Sequence, residues 1–174
     1  MEQINALRET LPETARDIKL NLSAVLQPGA LNADQVWGTA LACAYAARNA
    51  KLTQAVLADA TAAGISAGAL EDAKASAILM SQNNIFYRFR HAIGKDSYAE
   101  KPARLRMLRL NQVATSKADM DLFSFAVSAI NFCQACMNSH EEEALKHGLS
   151  EDQVHDAVRI ASVIHAAAVA LEVG

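Results

Sequence analysis

The residues best suited to chemistry lie between positions 121 and 140 of the 174-residue chain. Cys133 and Cys136 are separated by two residues, and His140 follows four residues after Cys136. Two cysteines at this spacing at the start of a helix can form a local disulfide, and the free N–H groups of a helix N-terminus favour a thiolate. On that helix His140 would share a face with Cys136, so its imidazole could exchange a proton with the thiol. A carboxylate from Asp121, on the preceding helix, could orient the imidazole if the two helices pack face to face.

Two interpretations without redox chemistry remain open for the same residues. A Cys-x-x-Cys pair can be half of a structural zinc site, with His140 as third ligand and Asp121 completing the set. Free cysteines are also common core residues, and Cys43, which lies among Ala and Leu, is expected to pack in this way. The odd count of three cysteines is unlike a secreted protein stabilised by disulfides.

The elements that must position these side chains are predicted to be helices, because helix start and stop signals run along the whole chain. No segment is typical of a strand, and the clearest loop is predicted from Gly94 to Pro102. The sequence therefore predicts an all-α, single-domain helical bundle over residues 1–174. The helices are expected from Pro12 to Leu26, from Asn32 through Ala44, from about Lys51 to Gly64, from Ala67 to about His91, around Leu105 to Leu110, from Lys117 to Ile130, from about Cys133 to His147, and from Ser150, which opens a capping box, to about Leu171.

A weak internal repeat relates two parts of the chain at an offset of 84 residues. The tripeptide at 64–66 (Gly-Ile-Ser) matches the tripeptide at 148–150 (Gly-Leu-Ser), although chance matches are common in an Ala-rich chain. The possible pseudo-repeat covers about 33–91 and 117–171. It aligns Asn49 and Leu52 with Cys133 and Cys136, so only the C-terminal half carries the thiol pair.

Composition and charge exclude several classes of protein. The chain is 52% hydrophobic and 20% charged, which excludes intrinsic disorder. Its 16 basic and 19 acidic residues give a net charge of -3, so no basic surplus favours nucleic-acid binding. The apolar stretch Val163 to Leu171 is too short to cross a bilayer, and the N-terminal residues lack the pattern of a signal peptide. We therefore expect a cytoplasmic protein that binds neither nucleic acid nor membrane.

A longer pattern around the cysteines resembles a known family. The run Ser-Phe-Ala-Val-Ser-Ala-Ile-Asn at 124–131, followed by x-Cys-x-x-Cys-x-x-x-His-Glu, resembles the AhpD alkylhydroperoxidases of the carboxymuconolactone decarboxylase-like superfamily. The resemblance extends over essentially the whole chain, because three distant segments share it. These segments are Leu11 to Ser23, Trp37-Gly38-Thr39, and Asn83 to Arg88.

The resemblance implies an all-helical subunit with two related halves that forms a homotrimer. It also implies an antioxidant enzyme that reduces organic hydroperoxides and regenerates the reduced peroxiredoxin AhpC. The implied electron donor is dihydrolipoamide on a lipoyl-bearing acyltransferase, with lipoamide dehydrogenase and NADH upstream, and no cofactor or metal is tightly bound. By position, Cys136 matches the peroxidatic cysteine, which becomes a sulfenic acid and forms the mixed disulfide with AhpC. Cys133 matches the proton donor and resolving cysteine of the redox disulfide, and His140 matches the proton relay.

Two positions depart from the family pattern. Asp121 stands where a relay Glu is expected, and its shorter side chain could need a bridging water to reach the imidazole. Ala135 stands where some members have a second histidine, which puts strong intrinsic peroxidase activity in doubt. The alternatives are therefore a redox adaptor for a peroxiredoxin, a zinc-clipped scaffold without enzymatic activity, or a ring-cleavage decarboxylase that does not need the thiols.

Overall fold

The computed structural model describes residues 1–174 and consists of nine α-helices and two 3-10 turns, with no β-strand. The prediction of an all-α fold is therefore confirmed. In chain order the helices are α1 (Glu2–Glu9), α2 (Arg16–Ala24), α3 (Ala33–Ala47), α4 (Ala50–Ala62), α5 (Ala67–Ile93), α6 (Asp96–Ala99), α7 (Lys117–Ile130), α8 (Gln134–Lys146) and α9 (Glu151–Val173), and the 3-10 turns are Glu13–Ala15 and Leu108–Asn111.

Side-chain caps fix where the long helices begin. Asn32 and Ser150 each form a capping box, in which the side chain accepts a hydrogen bond from the backbone N–H three residues on. Both caps agree with the sequence prediction. Three more helices begin at a capping side chain, at Asn49, Ser66 and Ser116.

The centre of the bundle is formed by α3, α7 and α9, with α5 packed against α3 and α7. Gly38 on α3 faces the fully buried ring of Phe123 on α7, and a Cβ at Gly38 would overlap that ring. The glycine therefore allows α3 and α7 to approach closely. Helix α9 is long and apolar enough to cross a membrane by length and composition alone. It is nevertheless a core helix, because half of its most apolar window is buried against the bundle.

The helix starts follow the 84-residue offset seen in the sequence. Helices α3, α4 and α5 begin at positions 33, 50 and 67, and α7, α8 and α9 begin at 117, 134 and 151. Two aspartates are related by the same offset, the buried Asp72 on α5 and the half-buried Asp156 on α9. Asp72 accepts a hydrogen bond from Ala114 N, and Asp156 accepts one from Ala30 N. Each half thus braces the segment that precedes the first helix of the other half. Duplication as the origin of the halves stays a prediction.

Three local features differ from the sequence prediction. Helix α1 was not expected; its first N–H groups, of Gln3 and Ile4, donate to the carboxylate of Asp59 on α4, a cap more than 50 residues away. The expected loop from Gly94 to Pro102 contains the single turn α6. The helix expected around Leu105 to Leu110 is only a 3-10 turn, Leu108–Asn111.

Candidate active site

The two cysteines lie at the junction of α7 and α8, where they form a disulfide with Cα atoms 5.3 Å apart. Helix α7 ends in a Schellman motif: Phe132 adopts a left-handed backbone with φ 51°, and Cys133 N donates to Ser128 O at 3.0 Å. Cys133 is then the N-cap residue of α8. Cys136 therefore lies in the first turn of α8, at the helix N-terminus that the sequence predicted.

The two sulfurs differ in their access to solvent. Cys133 is completely buried, whereas Cys136 is 5% exposed. Cys136 lines a cavity of about 390 Å³, and Cys133 does not. A small substrate that enters the cavity thus meets Cys136 first. The other residues of the lining are Asn83, Tyr87, Met107, Leu110, Ala135, Ser139 and His140.

His140 and Asp121 form a direct pair beside this cavity. His140 Nδ1 lies 2.9 Å from Asp121 Oδ1, so no bridging water is needed despite the shorter side chain. The carboxylate is 1% exposed and the imidazole 12%. Because an ionised carboxylate only accepts hydrogen bonds, Nδ1 is the protonated nitrogen and Nε2 of the neutral ring is left as the acceptor. The pair therefore presents a group that can accept a proton in the cavity of Cys136.

Lys117 is a charged partner of this pair that the sequence analysis did not single out. Its Nζ lies 3.2 Å from the Asp121 carboxylate, one turn earlier on α7. Asp121 is thus held between a cation and an imidazole. The i, i+4 spacing of an opposite-charge pair on one helix could have revealed this contact.

A buried polar network holds the end of α7 against α5. Asn84 Nδ2 donates to Ser128 Oγ at 2.9 Å, and Asn131 Nδ2 donates to Asn84 Oδ1 at 2.9 Å. Arg88 adds a hydrogen bond from Nη1 to Asn131 O at 2.6 Å. These bonds join α5 to Ser128 and Asn131, two residues of the Schellman motif. The network fixes the position from which α8, and with it Cys136, begins.

The four side chains considered from the sequence as zinc ligands are not arranged to bind a metal ion in this structure. The sulfurs of Cys133 and Cys136 are bonded to each other, and His140 is paired with Asp121. A different group, Asp121, Glu143 and His147, brings its ligand atoms within 4.8 Å of one another. Lys117 already pairs with the Asp121 carboxylate and Lys146 with the Glu143 carboxylate, which weakens the attraction of this group for a cation. The geometry therefore favours proton and thiol chemistry.

The third cysteine, Cys43, is a core residue. It is completely buried in α3 and belongs to the main core cluster. Burial raises the pKa of the Cys43 thiol far above its usual range. The side chain stays a neutral thiol, in agreement with the expected packing role.

Comparisons with known proteins agree with this arrangement. The Carboxymuconolactone decarboxylase family matches residues 97–173, which include α7, α8 and α9. The chain is 61% identical over 172 residues to an "Alkyl hydroperoxide reductase AhpD" from Anaeromyxobacter sp. (strain K), covering 99% of this chain and 92% of that protein. Proteins of the same name from Acidobacterium capsulatum and Rhodospirillum centenum are 48% and 44% identical, and each alignment covers 97% of this chain and at least 90% of the relative.

These relatives match nearly the full chain, so the resemblance is not limited to the short cysteine motif. The motif, the helical fold and the cavity at Cys136 are all consistent with the reaction that their name describes. The chain therefore belongs to the alkyl hydroperoxide reductase AhpD family and is an oxidoreductase.

Proposed function

We propose that the protein is an antioxidant enzyme that reduces organic hydroperoxides through a dithiol/disulfide cycle of Cys133 and Cys136. One observation carries the proposal: Cys136 opens into a cavity that also contains the His140 imidazole, itself hydrogen-bonded to Asp121. Nucleophile, proton carrier and orienting carboxylate are the groups that activation of a thiol requires.

The first step oxidises Cys136. Its thiolate attacks the terminal oxygen of the hydroperoxide, the O–O bond breaks, and the alkoxide leaves as an alcohol after taking a proton through His140. The product at Cys136 is a sulfenic acid, which is the reversible stage of thiol oxidation. The cavity supports this order because Cys136 lines it and Cys133 does not.

The second step closes the disulfide. The Cys133 sulfur attacks the sulfenic sulfur of Cys136, hydroxide leaves as water, and the two protein thiols have supplied the two electrons. A dithiol then reduces the disulfide by two successive exchanges. We assign this donor role to dihydrolipoamide on a lipoyl-bearing acyltransferase, with lipoamide dehydrogenase upstream. The same cycle, run against an oxidised peroxiredoxin AhpC, regenerates that partner through a mixed disulfide at Cys136.

A second function is favoured by one residue of the cavity. Ala135 lies between the cysteines and lines the cavity without offering a proton donor. Exchange with a disulfide partner depends less than peroxide cleavage on protonating the leaving group. The alternative is therefore a redox adaptor that transfers electrons to a peroxiredoxin and has little peroxidase activity of its own.

Intact mass and thiol titration test the proposal. Reduced protein is measured before and shortly after one equivalent of an organic hydroperoxide is added. We expect the wild type and the matched control Cys43→Ala to lose two thiols and two hydrogens, and Cys136→Ser to lose neither. If all three thiols of the wild type persist, direct peroxide reduction is wrong. Disulfide formation only when an oxidised peroxiredoxin is supplied would establish the adaptor.

The oligomer and the compartment are part of the same proposal. Exposed apolar side chains on α5 form a stripe that supports association between copies of the chain, which we assign as a homotrimer, and a dithiol cycle suits the reducing cytoplasm. Light scattering should give three times the 18.6 kDa mass of the chain, and Ile85→Glu should yield monomers. The stripe consists of Ile78, Ile85, Phe89 and Ile93.

A further inference from the structure

Positive charge is concentrated in one part of the chain. Residues 88–117 contain eight lysines and arginines but only two acidic residues, a net charge of +6. The whole chain carries -3, so the remaining residues carry -9. The segment includes the C-terminal end of α5, the chain through the 3-10 turn at Leu108–Asn111, and the first residue of α7. The net charge of the protein therefore conceals a strongly basic region.

Most of these cations have no acidic partner. Arg109 pairs with Asp72 and Lys117 pairs with Asp121, but none of the other six forms an ion pair. Five of the six are exposed, and Arg90 is half-buried. We call these six residues the basic surface: Arg88, Arg90, Lys95, Lys101, Arg104 and Arg106. Unpaired charge of one sign creates a potential that attracts anionic molecules.

The basic surface borders the entrance to Cys136. A second cavity of about 370 Å³ shares Tyr87 and Ala135 with the cavity of Cys136, and its lining includes Arg90 and Lys95 together with one acidic residue, Asp96. Met107 lines the cavity of Cys136 itself, and Arg106 precedes it in the chain. A molecule held by Arg90 and Lys95 would thus lie next to the cavity of the reactive sulfur.

We propose that the basic surface docks the protein that exchanges a disulfide with Cys136, and that this partner is acidic around its own reactive sulfur. The inference rests on the proposed dithiol cycle and specifies the partner's chemistry. A small carboxylated substrate would use one or two cations, whereas six cations without an acidic partner, five of them exposed, spread over residues 88–106 suit a larger acidic surface. Complementary charge of this kind accelerates encounter and selects the partner.

Docking would precede a thiol–disulfide exchange in two steps. The Cys136 thiolate attacks one sulfur of the partner's disulfide, forming a mixed disulfide and releasing the other sulfur as a thiolate. The Cys133 sulfur then attacks Cys136 Sγ, closes the protein's disulfide and releases the second partner thiol. Two electrons pass to the partner, and the reverse sequence reduces the protein when the partner arrives as a dithiol.

Peptide probes test the inference without knowledge of the partner. Three synthetic peptides contain the same internal disulfide, flanked by four Glu, four Gln or four Lys residues. The second-order rate of thiol loss from the reduced protein is measured with each peptide at low and high salt. We expect the Glu peptide to react about tenfold faster than the Gln peptide at low salt, and the Lys peptide to react more slowly. This preference should disappear at about 1 M salt.

Charge variants locate the effect. Lys101→Glu, Arg104→Glu and Arg106→Glu together should bring the Glu-to-Gln rate ratio close to one, and the corresponding change to Gln should lower it partially. The ratio cancels any general change in thiol reactivity. A matched control changes the same net charge outside the basic surface, on α2 and α4: Arg16→Glu, Lys19→Glu and Lys51→Glu.

Each outcome has a defined meaning. Equal rates for the three peptides, or an equal effect of the control variant, overturns docking at the basic surface while the dithiol cycle stands. A preference that appears only for a carboxylated hydroperoxide, and not for the Glu peptide, assigns the cations to a small substrate and also overturns it. Failure of every peptide and every hydroperoxide to oxidise the thiols overturns the proposed function itself.

Discussion

Asp72 gives the sharpest test of how the site is held together. Its carboxylate, completely buried on α5, accepts hydrogen bonds from Thr115 N at 2.8 Å, Thr115 Oγ1 at 2.6 Å, Ala114 N at 3.0 Å and Arg109 Nη2 at 2.7 Å. These donors lie just before α7, the helix that carries Asp121, and beside the wall of the cavity at Cys136. Asp72→Ala leaves them without a partner. We expect the free energy of unfolding to fall by about 3 to 5 kcal/mol, the usual cost of breaking a buried ion pair.

The effect should depend on pH in a defined direction. Burial by itself would raise the pKa of Asp72, but the hydrogen bonds from Thr115, Ala114 and Arg109 outweigh it and lower the pKa below its usual value. A carboxyl whose folded-state pKa is lowered stabilises the protein above its unfolded-state pKa of about 3.9. That stabilisation is lost as the pH falls through the folded-state pKa. The difference between wild type and Asp72→Ala should be complete at pH 7 and shrink below about pH 4.

Urea unfolding followed by circular dichroism measures both effects, because the free energy extrapolates linearly to water. The matched control is Asp156→Ala, at the position related by the 84-residue offset. Asp156 has fewer partners, accepting from Ala30 N at 3.1 Å and from Arg159 Nη1 at 2.7 Å at a partly exposed site. We expect its loss to cost only about 1 kcal/mol. Equal costs for the two variants, or a cost of Asp72→Ala that does not shrink in acid, would refute the reasoning.

Three further substitutions test the site and its frame. Asp121→Asn should slow the oxidation of Cys136 by an organic hydroperoxide by at least about 100-fold, because His140 loses its orienting charge; an unchanged stopped-flow rate would exclude Asp121 from the relay. Phe132→Gly should raise the free energy of unfolding by about 1 kcal/mol, because glycine adopts the left-handed conformation without strain; a lower denaturation midpoint would contradict this. Gly38→Ala should lower that free energy by about 1 to 3 kcal/mol, because the new methyl group meets the Phe123 ring, and an unchanged thermal midpoint would show that α3 and α7 separate freely.

The parts of the fold that the sequence predicted are those specified by local interactions. The helix that begins after Ser150 follows from residues within one turn, because the capping side chain bonds the N–H three residues away. Helix α1 escaped prediction because its cap is the Asp59 carboxylate, which only tertiary packing brings to it. Helix signals near Leu105 were overruled in a similar way: Asp72 binds Arg109 and the residues before α7, and the segment follows those contacts.

The candidate site shows the same division between local and tertiary information. The spacing of Cys133, Cys136 and His140 predicted that the two cysteines lie at the start of a helix that also carries His140. In the structure that helix is α8, with Cys133 as its N-cap residue. The direct contact between His140 and Asp121 could not be deduced, because it depends on the distance at which α7 and α8 pack. The basic surface was hidden by the net charge of -3, which averages a basic segment with an acidic remainder.

Two helix junctions are related by the 84-residue offset, but only the second carries reactive groups. Both junctions contain a left-handed residue, Arg48 with φ 60° or Phe132 with φ 51°, followed by the N-cap residue of the next helix. In the first half Asn49 Oδ1 accepts a hydrogen bond from Leu52 N at 2.9 Å, which satisfies the helix N-terminus. In the second half Cys133 provides no side-chain cap. The N–H groups of α8 are therefore left to stabilise negative charge on the sulfur in its first turn, so the fold gives up a cap at the position where the proposed chemistry needs a thiolate.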